Sequence, residues 1–412
     1  MGPDATIQAI SLFVALVAAA GLIGLAVHRL AIPYSVALVV LGLVAGALLP
    51  ITVEVPPELV LLVLLPGLVF EGALRIHATD FRRMFGGVAL LAAPGVLVSA
   101  AVVGIVLSVA TSLPLELGFV VGAMVAATDP VAVVSTFKQL GSPRRLATLI
   151  ESESLFNDGT AIVVFLVAVQ AALGEVTLDR AVVSIVVTVA VSTLIGLVVG
   201  LVASRLMTAV DDHLIALTLS VAVAYGTYLV ADRLGHSGVI ATVVAGLVIG
   251  DHVRRSGVST ATLDALDAVW EFAAFLMTAL VFLLIGLAIS FSNVVSVAPA
   301  IAWGIVAILV GRAIVVYLLL GGTSRIVVGR QLPAAWLHVL FWAGLRGAVA
   351  IAMALSLPAS IPQRALLQEI TFGIVLFTLL VQGSTIEWLI ERLGAGRASL
   401  ADEEPSAAVQ PR

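Results

Sequence analysis

Apolar residues in this chain come in long runs, not in the one-faced or alternating patterns of a soluble fold. Runs of Leu, Val, Ile, Ala and Gly occupy 6–27, 33–50, 57–74, 85–110, 115–137, 145–172, 179–207, 212–232, 236–251, 268–290, 294–320, 332–357 and 364–391. Most are about twenty residues or longer, enough for a helix to cross a hydrocarbon core of roughly 30 Å. A membrane barrel would instead show short segments of alternating polarity. The pattern predicts an all-α polytopic membrane protein with about thirteen transmembrane helices.

Composition agrees, with 61% hydrophobic residues, 11% charged residues and a mean hydropathy of +1.21. A water-soluble fold would have too little polar surface to cover itself. The first run has an acidic residue at Asp4, no basic start and no clear small-residue cleavage site. It therefore reads as a span and not as a signal peptide. With no cysteine there is no disulfide, thiolate or cysteine-bound metal to consider. The net charge of −5 mixes loops on opposite sides of the membrane and says little about partners.

Loop charge sets an expected orientation, because Lys and Arg are retained on the cytoplasmic side. Arg29, Arg75, Arg82, Arg83, Lys138, Arg144, Arg145, Arg205, Arg254, Arg255, Arg325, Arg330, Arg392 and Arg397 fall on one face. The other has Arg180, Arg233 and Arg364. The N-terminus is then outside and the C-terminus cytoplasmic, in a cell (inner or plasma) membrane. Residues 1–396 form one membrane transporter domain, and 397–412 a short, disordered tail. The spans divide into six, a connector at 179–207, and six more, which would make two inverted repeats of the kind that frame secondary transporters.

Polar residues interrupt the spans at matching places. Ala127-Thr128-Asp129-Pro130 lies in the fifth, and Gly344-Leu345-Arg346-Gly347 in its counterpart, the twelfth. Pro130 removes a backbone donor and disfavours helix at Asp129, while the glycines loosen the backbone beside Arg346. Unwound backbone at membrane depth is tolerated where it lines a cavity or is buried in protein, so two broken helices are expected to cross near the midplane. Asp129 and Asp158 lie about fourteen and about thirteen residues into their spans, which places both in the middle third of the bilayer. Glu151, Ser154 and Asp158 share one helix face, with Glu153 and Asn157 on the neighbouring edge where they could face Arg346. Carboxylates, a hydroxyl and freed carbonyls near Thr128 are hard oxygen ligands of the kind a small cation such as Na⁺ prefers. Burial and a neighbouring like charge both favour the protonated form of a carboxylic acid, so the same groups could hold either a cation or a proton.

These residues resemble the sodium/proton antiporters of the NhaP and eukaryotic NHE type. The matching pieces are Thr128-Asp129-Pro130, Glu153 to Asp158, Gly344 to Val349, and Leu65-Pro66-Gly67-Leu68-Val69-Phe70-Glu71, in the family's order and spacing. The resemblance implies that Asp158 is the carrier carboxylate and that Asp129, Ser154 and the Thr128 backbone complete the cation site. It implies that Asn157 orients the site, that Glu71 reaches it through water, and that Glu153 and Arg346 form an ion pair between core helices. It also implies a homodimer, with a moving core that includes 85–172 and 294–391 and a static dimerisation part made of the remaining helices. Ser152 departs from the family's usual Gly. Asn157 stands where electrogenic relatives have Asp, which points to electroneutral exchange of one proton for one cation.

Blander readings remain beside these. Glu153 with Arg346 is a structural pair that needs no transport role, Arg312 is structural or snorkelling, and Glu71 near a helix end is affordable as a solvated acid. Trp270, Trp303, Trp336 and Trp388 read as interfacial anchors, and 254–267 as a plain connector, though its amphipathic pattern would also suit a segment lying on the cytoplasmic surface. The expected function is a secondary antiporter exchanging Na⁺ or Li⁺ for H⁺, with no cofactor and no nucleic-acid partner. Alternatives are a K⁺/H⁺ antiporter, a passive cation channel and an intramembrane aspartyl protease.

Overall fold

The structure, a computed structural model, describes residues 3–27, 33–48, 56–140, 143–176, 178–210, 212–256, 258–289, 295–329 and 331–394. The expected tail at 397–412 lies outside them, as do Arg29, Arg330 and Arg397. Every predicted span is largely helical over its described residues, the fifth and twelfth with a break inside them, and the described residues contain no strand. Seven helical runs are long and apolar enough by themselves to cross a membrane: Ala78–Thr111, Arg144–Ala172, Arg180–Val210, His213–Arg233, Thr260–Ala288, Ala298–Val327 and Arg364–Leu393.

The chain opens with α1 (Pro3–Val27), α2 (Tyr34–Leu48) and α3 (Leu65–Arg75), the last preceded by a π-helical stretch at Leu59–Leu64. Next come α4 (Ala78–Ala92) and α5 (Pro94–Thr111), one run bent at Ala93. The bend has a local cause, since Pro94 cannot donate to the helical ladder. The fifth predicted span is split into α6 (Leu115–Met124) and α7 (Val131–Leu140). Four long helices follow: α8 (Arg144–Ala172), α9 (Leu178–Val210), α10 (His213–Arg233) and α11 (Gly238–Arg255). After α12 (Thr260–Ala288), α13 (Ala298–Ala313) runs through a π-helical stretch at Ile314–Gly321 into α14 (Gly322–Val327). The twelfth span is split into α15 (Ala334–Trp342) and α16 (Ala348–Leu355), and α17 (Arg364–Phe377) passes through Thr378–Gln382 into α18 (Gly383–Leu393).

Short connections hold because polar residues cap the helix starts they join. Asp212 accepts from the amides of Leu214 (2.8 Å) and Ile215 (3.0 Å) at the start of α10, and Ser259 caps α12 through Thr262. That cap starts α12 at Thr260 rather than at 268. Asp264, Asp267 and Glu271 depress hydropathy across the first turns, so an apolar run understates the helix. Residues 254–267 accordingly join α11 to α12, as a connector would. They comprise the end of α11, the turn after it and the first two turns of α12, clasped by two hydrogen bonds from Arg254 to Asp267 at 2.7 and 3.2 Å.

Packing is closest where side chains are absent. A Cβ on Gly42 of α2 would meet the Leu283 carbonyl of α12, and one on Gly286 of α12 would meet the Val39 carbonyl of α2. Small residues let helix backbones approach where lipid supplies no hydrophobic drive. One large apolar cluster surrounds the two split helices, and a smaller one joins α3, α9, α10, α11 and the start of α12. In the smaller cluster Trp270 packs against Phe70 with ring centroids 4.9 Å apart and donates to Ser220 Oγ at 2.9 Å. Trp270 and Trp336 are both buried, against the interfacial role expected of them, while Trp303 and Trp388 are exposed. For Trp270 the reason is the earlier start of α12, which carries the indole away from the helix end.

Candidate functional site

The two interruptions meet. The Asp129 amide, freed by the end of α6 and by Pro130 after it, donates to the Leu345 carbonyl at 2.8 Å, tying one unwound segment to the other. Gly347 permits this approach, because a Cβ there would run into the Asp129 carboxylate. Four half-helix ends are thereby brought into apolar surroundings, where their backbone groups need partners.

Charged side chains supply those partners with the sign that each helix end requires. Arg346 Nη1 donates to the carbonyls of Ala126 (2.8 Å) and Ala127 (3.0 Å), just beyond the C-terminus of α6. Its own amide donates to Thr378 Oγ1 at 3.0 Å. Arg312, reaching across from α13, donates to the Leu340 carbonyl in the last turn of α15 from Nε (3.2 Å) and Nη2 (2.9 Å). At the opposite ends the Asp129 carboxylate accepts from the Val131 amide at 3.1 Å and from the Ala348 amide. Val131 and Ala348 are the first residues of α7 and α16, so one carboxylate serves two helix N-termini.

Helix α8 grips the first break from the side. Thr128 is held at all three of its polar groups: its amide donates to Asn157 Oδ1 (3.2 Å), its hydroxyl accepts from Asn157 Nδ2 (2.5 Å), and its carbonyl accepts from the Ser154 hydroxyl. Ser154 spends its proton on Thr128 and keeps its lone pairs. Asn157 uses both ends of its amide, which an aspartate could not do.

The expected ion pair between Glu153 and Arg346 is not formed. Glu153 instead makes a two-armed ion pair with Arg312, through Nη1 to Oε1 and through Nη2 to Oε2 at 3.0 Å. The reason lies in the second break: its turn aims Arg346 at the carbonyls after α6, leaving Glu153 to the guanidinium that rises from α13. Arg346 remains in the electrostatic field of Glu153, Arg312 and Asp158 without bonding to any of them. Arg312 is buried and not snorkelling. Its depth within an apolar span was the available signal, since an arginine there needs an acid or carbonyl partner. Thr378, which holds the Arg346 amide, carried no signal beyond being a hydroxyl in an apolar run.

A cavity of about 360 Å³ joins these groups to one end of the bundle. Asp129, Asp158, Thr128, Ser154 and Glu151 line it, with Glu71, Arg75 and Glu271 toward the end where α3 meets α12. Glu71 there pairs with Arg75 Nε at 2.7 Å, and Arg75 also reaches Glu271 at 3.4 Å. Among the described residues Asp129 and Asp158 form no ion pair, and each lies within the other's electrostatic field. Asp158 accepts no hydrogen bond from any described donor, so its carboxylate faces the cavity with all its lone pairs. Two carboxylates, the Ser154 hydroxyl and the Thr128 carbonyl are thus collected on one wall, an all-oxygen set suited to a hard cation.

Comparison with known proteins follows the same lines. The family described as "Sodium/hydrogen exchanger, transmembrane" matches residues 12–392. The Na(+)/H(+) antiporter ApNhaP of Aphanothece halophytica is 38% identical over 365 residues, covering 88% of this chain and 70% of that protein. The Na(+)/H(+) antiporter NhaG of Bacillus atrophaeus is 33% identical over 387 residues, 90% of this chain and 72% of that protein. In fold, the chain is similar to the sodium proton antiporter MjNhaP1 of Methanocaldococcus jannaschii at pH 8, with a TM-score of 0.75 at 21% identity over 96% of this chain and 97% of that one. A match running through all the helices that build the site shows that this multi-pass membrane protein belongs to the sodium/hydrogen exchanger family.

Proposed function

We propose that the chain exchanges Na⁺ or Li⁺ for H⁺ across its membrane by alternating access, one cation for one proton. The observation that carries this reading is the pair Asp129 and Asp158 on one cavity wall, with every nearby arginine committed elsewhere. Arg312 is spent on Glu153, and Arg346 on backbone carbonyls. The two carboxylates are therefore left for a mobile cation. In this reading Asp158 carries the ion or proton, Asp129 with Ser154 and the Thr128 carbonyl completes the cation shell, and Asn157 holds Thr128 in place. Glu71 and Arg75 stand where the cavity reaches the end of the bundle, along the path of entry.

The charge count supports strict coupling. With all groups ionised, the five charged side chains at and beside the two breaks, Asp129, Asp158 and Glu153 against Arg312 and Arg346, leave a formal excess of one negative charge there. An uncompensated charge carried through an occluded, dry state costs several kcal/mol, on the order of the penalties for buried ions. One Na⁺ or one proton cancels the excess, so either loaded form can cross, whereas the empty form is held back. Asn157 keeps the excess at one.

The family's sidedness and assembly enter as further parts of the proposal. Arg75, Arg82 and Arg254 are joined by ion pairs to acids of neighbouring helices and Arg255 to Asp251 of its own helix, and this basic face is assigned to the cytoplasm by the positive-inside rule. The cavity reaches that face, so the structure corresponds to an inward-facing state. The chain works as a homodimer in which the helices outside 85–172 and 294–391 form the static part.

A pH-sensitive dye trapped in inverted membrane vesicles tests the proposal. Adding Na⁺ or Li⁺ should dequench it, and Asp158→Asn should remove the response. Full exchange in that variant would overturn the assignment. A larger response to K⁺ than to Na⁺ would replace the cation, and a cation current uncoupled from protons would mark a channel.

A further inference from the structure

A second cavity, of about 470 Å³, lies between α4 and α8 on one side and α9 and α11 on the other. It shares no lining residue with the cation cavity. Its walls are apolar along their length, from Phe81, Phe85 and Ala89 on α4 to Leu197 on α9 and Val244 and Leu247 on α11. Phe85 and Leu197 are exposed, so the cavity is a groove open to the surroundings of the helices, which in a multi-pass membrane protein are lipid. Only one end is charged. There Arg82 Nη2 lies 3.3 Å from Asp251 Oδ2, and Arg255 Nε 2.6 Å from Asp251 Oδ1. Two arginines thus share one carboxylate, and their side chains are 66% and 52% exposed against 23% for Asp251. The end is net positive and accessible.

Dimensions match a lipid. From Arg82 to Ala93 along α4, and from Asp251 to Ile240 along α11, is roughly 16 Å at the helical rise. That is about the depth of one leaflet of a 30 Å hydrocarbon core. A basic headgroup site at the interface, continuing into an apolar slot one leaflet deep, is complementary to an anionic phospholipid. We propose that one such lipid binds here, its phosphate between Arg82 and Arg255 and an acyl chain between α4 and α11.

The position gives the lipid a role. Phe156 and Thr160 of α8 line the groove, while Ser154 and Asp158 of the same helix line the cation cavity. At 3.6 residues per turn these pairs point to opposite sides of α8. The acyl chain would therefore lie behind the helix that carries Asp158, filling the space between it and α9 with α11.

The test uses the full chain, delipidated in detergent and titrated with phosphatidylglycerol or phosphatidylcholine, with bound lipid read by native mass spectrometry. We expect one tightly retained phosphatidylglycerol per chain and weaker retention of phosphatidylcholine. Loss of one interfacial cation in Arg82→Gln should weaken phosphatidylglycerol about fivefold. Ala89→Trp should block the slot for either lipid. Asp251→Asn, which releases both arginines, should strengthen phosphatidylglycerol retention, the reverse of what loss of a merely structural strut would do. Equal retention of the two lipids, unchanged binding in Ala89→Trp, or weaker binding in Asp251→Asn would overturn the proposal. So would a change in oligomeric mass in Ala89→Trp without a change in bound lipid, which would assign the groove to a second copy of the chain.

Discussion

Asp129 and Asp158 share a cavity but do different work. Asp129 is fixed by the amides that begin α7 and α16, whereas Asp158 accepts from no described donor. Asn157 neighbours both and adds no charge. Asn157→Asp should raise the excess negative charge of the core from one to two, so exchange in proteoliposomes should become voltage-dependent or stop. Voltage-independent exchange at the original rate would argue against the charge count. For Glu153 and Arg312, removing one partner leaves the other charge buried alone, at about 3–5 kcal/mol. Glu153→Ala and Arg312→Ala should each lower thermal stability by that order, and the double variant by far less than their sum. The same cycle with Arg346 should show weaker coupling. Asp129, Asp158, Ser154 and Asn157 were legible in the sequence because polar side chains stand out in apolar spans. The partner of Glu153 was not, because sequence spacing does not say which of two buried arginines a turn will aim at an acid.

Among the elements, the split helices were foreseen from Pro130 and from the glycines around Arg346, and both splits fall where those residues stand. The sequence could not reveal how the four ends are satisfied, since that depends on Arg312 and Thr378, which lie far away in the chain. Gly347 is where the two breaks touch. Gly347→Ala should push the new methyl against the Asp129 carboxylate, an overpacking cost of about 1–3 kcal/mol, and should lower apparent Na⁺ affinity more than it lowers expression. Unchanged affinity would mean that the two segments relax apart freely. Helix starts were the least legible feature. Acidic residues in the first turns of α12 hid its beginning at Thr260 and misplaced Trp270, whose indole bond to Ser220 is worth on the order of 1 kcal/mol. Trp270→Phe should lower the melting temperature without altering exchange, whereas altered exchange would give the smaller cluster a part in transport.

Across the whole molecule, thirteen apolar runs in the sequence correspond to the helical runs of the structure, because a bilayer leaves the backbone few other options. What hydropathy could not supply is how those helices are arranged: two broken spans back to back, α8 latched to one of them, and a cavity leading from a basic face to two acids that form no ion pair among the described residues. In the proposed function these two acids hold a proton and an alkali cation in alternation. Proton release on adding Na⁺ to the purified, weakly buffered protein tests it most directly. Close to one proton should be released per Na⁺ bound, with release lost in Asp158→Asn. Sodium binding with no proton release, or release undiminished in that variant, would contradict it.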